Sequence, residues 1–183
     1  MSKFPDPYHH HHESLTSQSM ANDITFPEFL CLSRITFEWA DSYDSKDFTR
    51  LAAILAPEVT LDYSEAFGQK PVTMSKEAFL QLSSSEDRLG GIVDCIHHIG
   101  GSKFDRTGPD SVTGFHQVRT EYKRFKTMDK KEVEASGQGL TLMVHWYKKV
   151  DGEWKLAGTK PGGRMNEFNF DKIFTQKPQQ AKI

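Results

Sequence analysis

Hydrophobic order begins only after residue 22. Residues 1–22 are polar and aperiodic, with too little apolar surface to fold, and the closing TQKPQQAKI (175–183) is a second polar tail. Between them, Asp23 to Phe174 has about the size of one domain. Pro27 suits a first helical turn, and apolar residues recur at Phe29, Leu30, Ile35, Phe37, Trp39 and Ala40, which predicts a helix to about Tyr43. Asp44 or Ser45 is placed to cap a second helix, DFTRLAAIL, that ends before Pro57. EVTLDY alternates, with Val59, Leu61 and Tyr63 on one face of a strand. Ser75 caps a third helix, KEAFLQL.

Beyond Gly90-Gly91 the pattern changes. IVDCIHHI, SVTGFHQVRTEYKRF, GLTLMVHWYKKV and EWKLAGTK are β-rich runs, with Asp151-Gly152 as a hairpin signal between the last two, and NFDKIF closes the domain as a short helix. Helices followed by an antiparallel meander predict an α+β domain. In GLTLMVHWY, Leu140, Leu142, Val144 and Trp146 share one face while Met143 and Tyr147 share the other. Both faces need covering, one by the helices and one by another subunit, so the expected form is a curved sheet wrapped around helices.

Composition narrows the function classes. A net charge of −2 over 183 residues gives no field for a nucleic-acid backbone. There is no membrane-spanning apolar run and no signal-peptide pattern. Cys31 and Cys95 are too few for a disulfide scaffold and read as small hydrophobes in a reducing compartment, which points to the cytoplasm. His9 to His12 read as a tag-like tail outside any site.

The chain has no phosphate-binding glycine loop, no G-x-S-x-G, no H-E-x-x-H and no paired C-x-x-C. His116 and His145 read as hydrogen-bonded strand histidines, and scattered histidines predict no metal site. What remains is acid–base chemistry in a pocket built from Tyr43, Asp44, Tyr63 and His97. A carboxylate beside a histidine fixes its tautomer and keeps it a competent base. Tyrosine hydroxyls can donate to a developing enolate oxygen. The alternative for Asp44 is a helix N-cap, and for Tyr63 a core position.

EWADSYDSKD (38–47), LDY (61–63), H-x-I-G-G (97–101), GFHQVR (114–119), HWYKKVDGEWKLAG (145–158), KP (160–161) and EFNFDKIF (167–174) together resemble the fungal scytalone dehydratases, in order and across the core. The resemblance implies a cone-shaped α+β barrel of the nuclear-transport-factor-two-like, or cystatin-like, class, usually a homotrimer packed through its sheets. It implies cofactor-free removal of water from a hydroxylated naphthalenone in polyketide or melanin synthesis. Residue by residue, it implies that Tyr43 and Tyr63 polarise the substrate carbonyl through a bound water. Asp44 and His97 form the carboxylate–histidine pair. Trp39, Pro161, Phe170 and Phe174 belong to the pocket wall and lid.

The departures matter as much. The family pattern R-V-P-H, ending in a second catalytic histidine, is here Arg119-Thr120-Glu121-Tyr122. The family serine beside that histidine is Thr141, an asparagine that binds a substrate hydroxyl is Met143, and a pocket phenylalanine aligns with Ala66. Thr120 and Tyr122 share a strand face, as do Thr141 and Met143. Tyr122 can donate a proton but is a poor neutral-pH base, which moves proton transfer onto His97 and Asp44. The expected activity is dehydration of a hydroxylated cyclic ketone, a naphthalenone or a reduced hydroxyanthraquinone. An isomerase or cyclase of a polyketide ketone, and a non-catalytic small-molecule binder, are the alternatives.

Overall fold

The computed structural model describes residues 23–174, so both polar tails, including His9 to His12, lie outside the described residues. Helix α1 spans Phe26–Ser45, opened by a capping box between Thr25 and Glu28 with Pro27 in its first turn. Its buried stripe includes Leu32, Ile35, Thr36, Trp39, Ala40 and Tyr43, the spacing of one helical face. Phe29, Leu30 and Phe37 fall outside that stripe, and Phe37 is 58% exposed. The stripe admits a threonine because Thr36 Oγ1 donates to the Leu32 carbonyl at 2.8 Å.

Helix α2 (Phe48–Ile54) is capped by Asp47, not by Asp44 or Ser45: the Asp47 carboxylate accepts from the backbone N–H groups of Thr49 and Arg50, both at 3.1 Å. Strand β1 (Leu55–Leu61) takes in Pro57 and stops before Tyr63, which instead stands at the residue before the short helix α3 (Ser64–Phe67), where the Asp62 carboxylate accepts from the Ser64 N–H at 2.9 Å. A short strand β2 (Val72–Ser75) leads into α4 (Lys76–Ser83), whose Ser75 cap is as expected. The meander follows as β3 (Val93–Gly108), β4 (Ser111–Phe125), β5 (Val133–Val150) and β6 (Glu153–Phe168), closed by α5 (Phe170–Ile173). Asp151 and Gly152 both have positive φ, 51° and 84°, as the two-residue hairpin turn requires.

The six strands form one curved sheet in the order β2-β1-β6-β5-β4-β3, antiparallel except for the β1–β6 pair. The expected curved, mostly antiparallel sheet around N-terminal helices is present, as an open sheet and not a closed barrel. Cross-strand register sorts its inner face into layers. Cys95, Tyr122 and Gly137 form one; His97, Thr120 and Gly139 the next; Ile99, Val118 and Thr141 a third. A bulge at Gly100-Gly101 then reverses the parity of β3. Ser102 can therefore join His116, Met143 and Pro161 in a fourth layer, and Phe104 joins Gly114, His145 and Thr159 in a fifth. Helix α1 runs along these layers, with Glu28 paired to Arg106 at 2.5 Å at one end and Asp44 bonded to His97 at the other.

The deep layers hold a buried polar cluster. The Tyr147 hydroxyl lies 2.7 Å from Thr36 Oγ1 and 3.1 Å from both His116 Nε2 and His145 Nδ1, while His116 Nδ1 lies 2.9 Å from Ser102 Oγ. Thr36 already donates to Leu32, so Tyr147 donates to Thr36 and accepts from both imidazoles. That assignment makes His116 the Nε2–H tautomer and His145 the Nδ1–H tautomer. Both read from sequence as hydrogen-bonded strand histidines, and both are so. His145 Nε2 is left as a buried acceptor with no hydrogen-bond partner among the described residues.

Burial pushes the His116 imidazole down to about 4, and burial, with His116 and His97 nearby, holds His145 well below its ordinary value. Between the ordinary histidine value of 6.5 and 4 the unfolded chain binds a proton that folded His116 refuses. Its contribution to stability is therefore complete above that range and is lost as the pH falls through it, by about 3 kcal/mol at most. The urea midpoint is expected to drop between neutral pH and pH ~4.5, with a shallower drop in His116→Gln. A pH-independent midpoint, or equal slopes in the two proteins, would show that this imidazole is not held neutral.

Candidate active site

Asp44, on the last turn of α1, and His97, on the inner face of β3, are joined twice. The His97 backbone N–H donates to Asp44 Oδ2 at 2.8 Å, and His97 Nδ1 lies 2.6 Å from Asp44 Oδ1. A carboxylate only accepts, so Nδ1 carries the proton, and in the neutral ring Nε2 is the nitrogen left to accept one. Cys95, two residues before His97 and so on the same strand face, donates its thiol to Asp44 Oδ1 at 3.3 Å. Desolvation is the largest single influence on the Asp44 carboxyl and opposes its charge. The hydrogen bonds and charge of His97, with the Cys95 thiol, outweigh it and hold the carboxyl below the ordinary aspartate value.

Aromatic rings surround the pair. The buried Trp39 ring stands 5.2 Å from His97, 4.5 Å from His145 and 6.1 Å from Tyr43. The Tyr122 ring is 6.5 Å from His97, and its hydroxyl hydrogen-bonds Thr120, the residue opposite His97 in the register. Tyr43 OH lies 3.1 Å from Ser83 Oγ of α4, and Tyr63 is near enough to influence it electrostatically. Burial pushes all three phenols above their ordinary value, so each presents a neutral O–H.

The other expected residues divide by layer. Gly139 completes the His97 layer on β5, beyond Thr120, with nothing within 4 Å of the position its Cβ would occupy. Thr141 lies one layer deeper and donates to the Gly162 carbonyl at 3.0 Å. Met143 and Pro161 lie two layers away, with the Met143 sulfur accepting from Thr159 Oγ1 at 3.0 Å. Ala66 is buried on α3. Phe174 packs edge-on against Tyr122 with ring centroids 5.3 Å apart, and the side chain of Phe170 lies outside the described residues.

The structure thus gathers Asp44, His97, Tyr43, Tyr122, Trp39 and Thr120 around one imidazole, and places Thr141, Met143 and Pro161 in its deeper layers. Sequence reasoning missed Ser83, which carried no local signal, and the polar role of Cys95, which strand parity with His97 could have exposed. The donor atoms of Asp44, Cys95 and His97 lie within 4.8 Å of one another, a set of types that metals take. Here they are engaged with one another, the Cys95 thiol and His97 Nδ1 both bonding Asp44 Oδ1, and burial followed by the Asp44 charge pushes the Cys95 thiol well up.

A charge-assisted bond as short as that between His97 and Asp44 deshields its proton. The His97 Nδ1–H is expected as a proton resonance well downfield of the amide envelope, absent from Asp44→Ala. A signal that survives that substitution would place the proton elsewhere.

Three comparisons place this geometry among known proteins. The family model described as scytalone dehydratase matches residues 23–181. The scytalone dehydratase of Pyricularia oryzae is 41% identical over 84% of this chain and 90% of its own length. A scytalone dehydratase-like protein of Claviceps purpurea is 40% identical over 86% and 100%, and the dehydratase AgnL8 of Paecilomyces divaricatus 37% identical over 86% and 91%. Among solved structures, Kfla4162 of Kribbella flavida superposes with a TM-score of 0.66 at 17% identity, covering 78% of this chain and 94% of its own. The hexachlorocyclohexane dehydrochlorinase LinA-type3 of Novosphingobium barchaimii gives 0.60 at 17% identity, covering 78% and 89%. The structural likenesses concern the fold, and the sequence matches carry the assignment: the chain belongs to the scytalone dehydratase family.

Proposed function

We propose that the chain is a dehydratase that removes water from a hydroxylated cyclic ketone, of the naphthalenone or reduced hydroxyanthraquinone type, in fungal aromatic polyketide or pigment synthesis. The observation that carries the reading is the Asp44–His97 pair at 2.6 Å among neutral tyrosine hydroxyls. The named activities of the relatives point the same way. His97 Nε2 takes the proton α to the ketone, and its imidazolium is stabilised by Asp44. The electron pair moves into the carbonyl as an enolate, which Tyr43, held by its hydrogen bond with Ser83, and Tyr63 stabilise by hydrogen bonding. The enolate collapses, the carbon–oxygen bond to the hydroxyl breaks, and the oxygen leaves as water with a proton from His97 or Tyr122. The remaining ring tautomerises to the aromatic product, so electrons balance without a redox partner.

On this reading Trp39, Thr120, Ala66, Thr141, Met143 and Pro161 shape the pocket, and Phe170 and Phe174 belong to the segment that covers it. Incubation with scytalone, and with a three-ring analogue, is expected to yield a product lighter by one water. His97→Ala is expected to lower kcat about 10²- to 10⁴-fold. A product of unchanged mass would identify an isomerase or cyclase, and tight binding without any product a binder.

The same reading includes a homotrimer packed through the outer sheet face. That face exposes Ile96 (49%) and Leu142 (44%). Beside them is a trough of about 680 Å³, lined in part by Ile96, Arg119, Glu121, Gln138 and Phe168. Light scattering is expected to return three times the chain mass of 20.9 kDa, and Leu142→Glu to reduce it to one. A monomeric wild-type protein would remove this part of the proposal. Among the described residues no helix is long and apolar enough to cross a membrane.

A further inference from the structure

The residue that ends α1 has an unusual conformation and an unusual set of contacts. Lys46 caps the helix with φ 59°, and its backbone N–H bonds back to the carbonyls of Ser42 and Tyr43. This left-handed position favours glycine, because a side chain there crowds its own backbone. The side chain kept at that position is fully engaged. An ammonium has three N–H donors, and those of Lys46 have three oxygens in reach: the carbonyls of Leu89 and Val93, each at 2.7 Å, and Asp94 Oδ1 at 3.2 Å. Asp94 is itself held by Lys130 at 2.6 Å.

These contacts lie where the two halves of the candidate site meet. Lys46 follows Asp44 by two residues, and Val93 and Asp94 immediately precede Cys95 and His97 on β3. One side chain thus ties the helix end that carries the carboxylate to the main chain of the strand that carries the imidazole. Two of its three bonds go to backbone carbonyls, Val93 at the start of β3 and Leu89 in the turn leading into it, so they fix the separation of the helix end and the strand start, which an ion pair between mobile side chains would not do. The 2.6 Å bond between Asp44 and His97 needs that separation held to a few tenths of an ångström.

We propose that Lys46 is a positioning residue for the Asp44–His97 pair: it touches neither reacting group and sets the distance between them. The proposal rests on the reading of that pair as the proton-transfer centre, and a displacement of about 1 Å at such a centre costs on the order of 10²-fold in rate.

Lys46→Gly is the informative variant, because glycine suits the left-handed cap while removing the ammonium. Its melting temperature is expected to stay within a few degrees of wild type. Its kcat on a dehydrated substrate is expected to fall about 10- to 50-fold, with KM changing less than about 3-fold. The downfield His97 Nδ1–H resonance is expected to shift or broaden. In an Asp44→Ala background the same substitution is expected to cost less than about 2-fold, since its effect runs through the carboxylate already removed. Lys46→Met, which keeps the aliphatic stem, serves for the same comparison if glycine lowers the yield of folded protein.

Equal losses in the two backgrounds, or activity that falls only in step with the folded fraction, would overturn the proposal. So would an unchanged His97 resonance in Lys46→Gly. The resonance needs no substrate, so the positioning role is tested even if the wild-type protein dehydrates none of the ketones tried.

Discussion

The carboxylate of Asp44 has been taken largely out of water and still carries its charge, which is tolerable only if its oxygens are met by donors. All three donors seen at it come from one short stretch of β3: the Cys95 thiol, the His97 backbone N–H and the His97 imidazole N–H. A helix end and a strand start are thereby locked into one relative position by the requirement to solvate a single charge. That requirement fixes the His97 tautomer, sets the residues that share its layer, and brings Trp39 and Tyr43 from the same helix face against the ring. The arrangement also explains why Asp44 cannot serve as a cap for α2, a task that falls to Asp47.

The deeper layers obey the opposite rule. There the polar groups bond to one another: Thr36, Tyr147, His116, His145 and Ser102 form one hydrogen-bonded set whose imidazoles stay uncharged because burial opposes protonation. Thr141 and Thr159 likewise donate within the protein, to the Gly162 carbonyl and the Met143 sulfur. The inner face therefore runs from a charged pair near the start of β3 to a neutral interior in which, among the described residues, only His145 Nε2 is a buried side-chain polar atom without a hydrogen-bond partner. The Gly100-Gly101 bulge makes the change possible, because without its parity reversal Ser102 would face outward and His116 Nδ1 would lose its donor.

Much of this was legible in the residues. The long helix, the Ser75 cap, the Asp-Gly hairpin and the meander follow from period and turn chemistry, because those signals are local. The face of α1 was less so. Phe29, Leu30 and Phe37 are apolar and exposed, while Thr36 is polar and buried, because a hydroxyl that returns its proton to the preceding turn can join a core. Tyr63 shares the parity of Val59 and Leu61 yet lies beyond the strand, since Asp62 accepts from the Ser64 N–H and turns the chain there. Asp44 and His97 are separated by 53 residues. Their meeting was readable through family resemblance, whereas Ser83 and Lys46 gave no signal because their roles exist only in the packed arrangement.

The substitutions that set this chain apart bear on recognition more than on the proton-transfer pair. With Met143 closed onto Thr159 and Thr141 onto the main chain, the deep wall offers few unsatisfied donors or acceptors to a ligand hydroxyl. Under the proposed reading, a polar substrate group must find its partners nearer the imidazole, among Tyr43, Tyr63, Tyr122 and His97 itself. Gly139, two strands from His97 in the same layer, adds no side chain to that layer and has open space where its Cβ would lie. Selection then depends on ring size and on the carbonyl facing the tyrosines, because an apolar wall discriminates weakly between ligands that differ by one hydroxyl. On that same reading the wall suits a broad, flat ketone with its leaving hydroxyl near His97, and Tyr122, whose phenol burial keeps neutral, is the donor proposed for it.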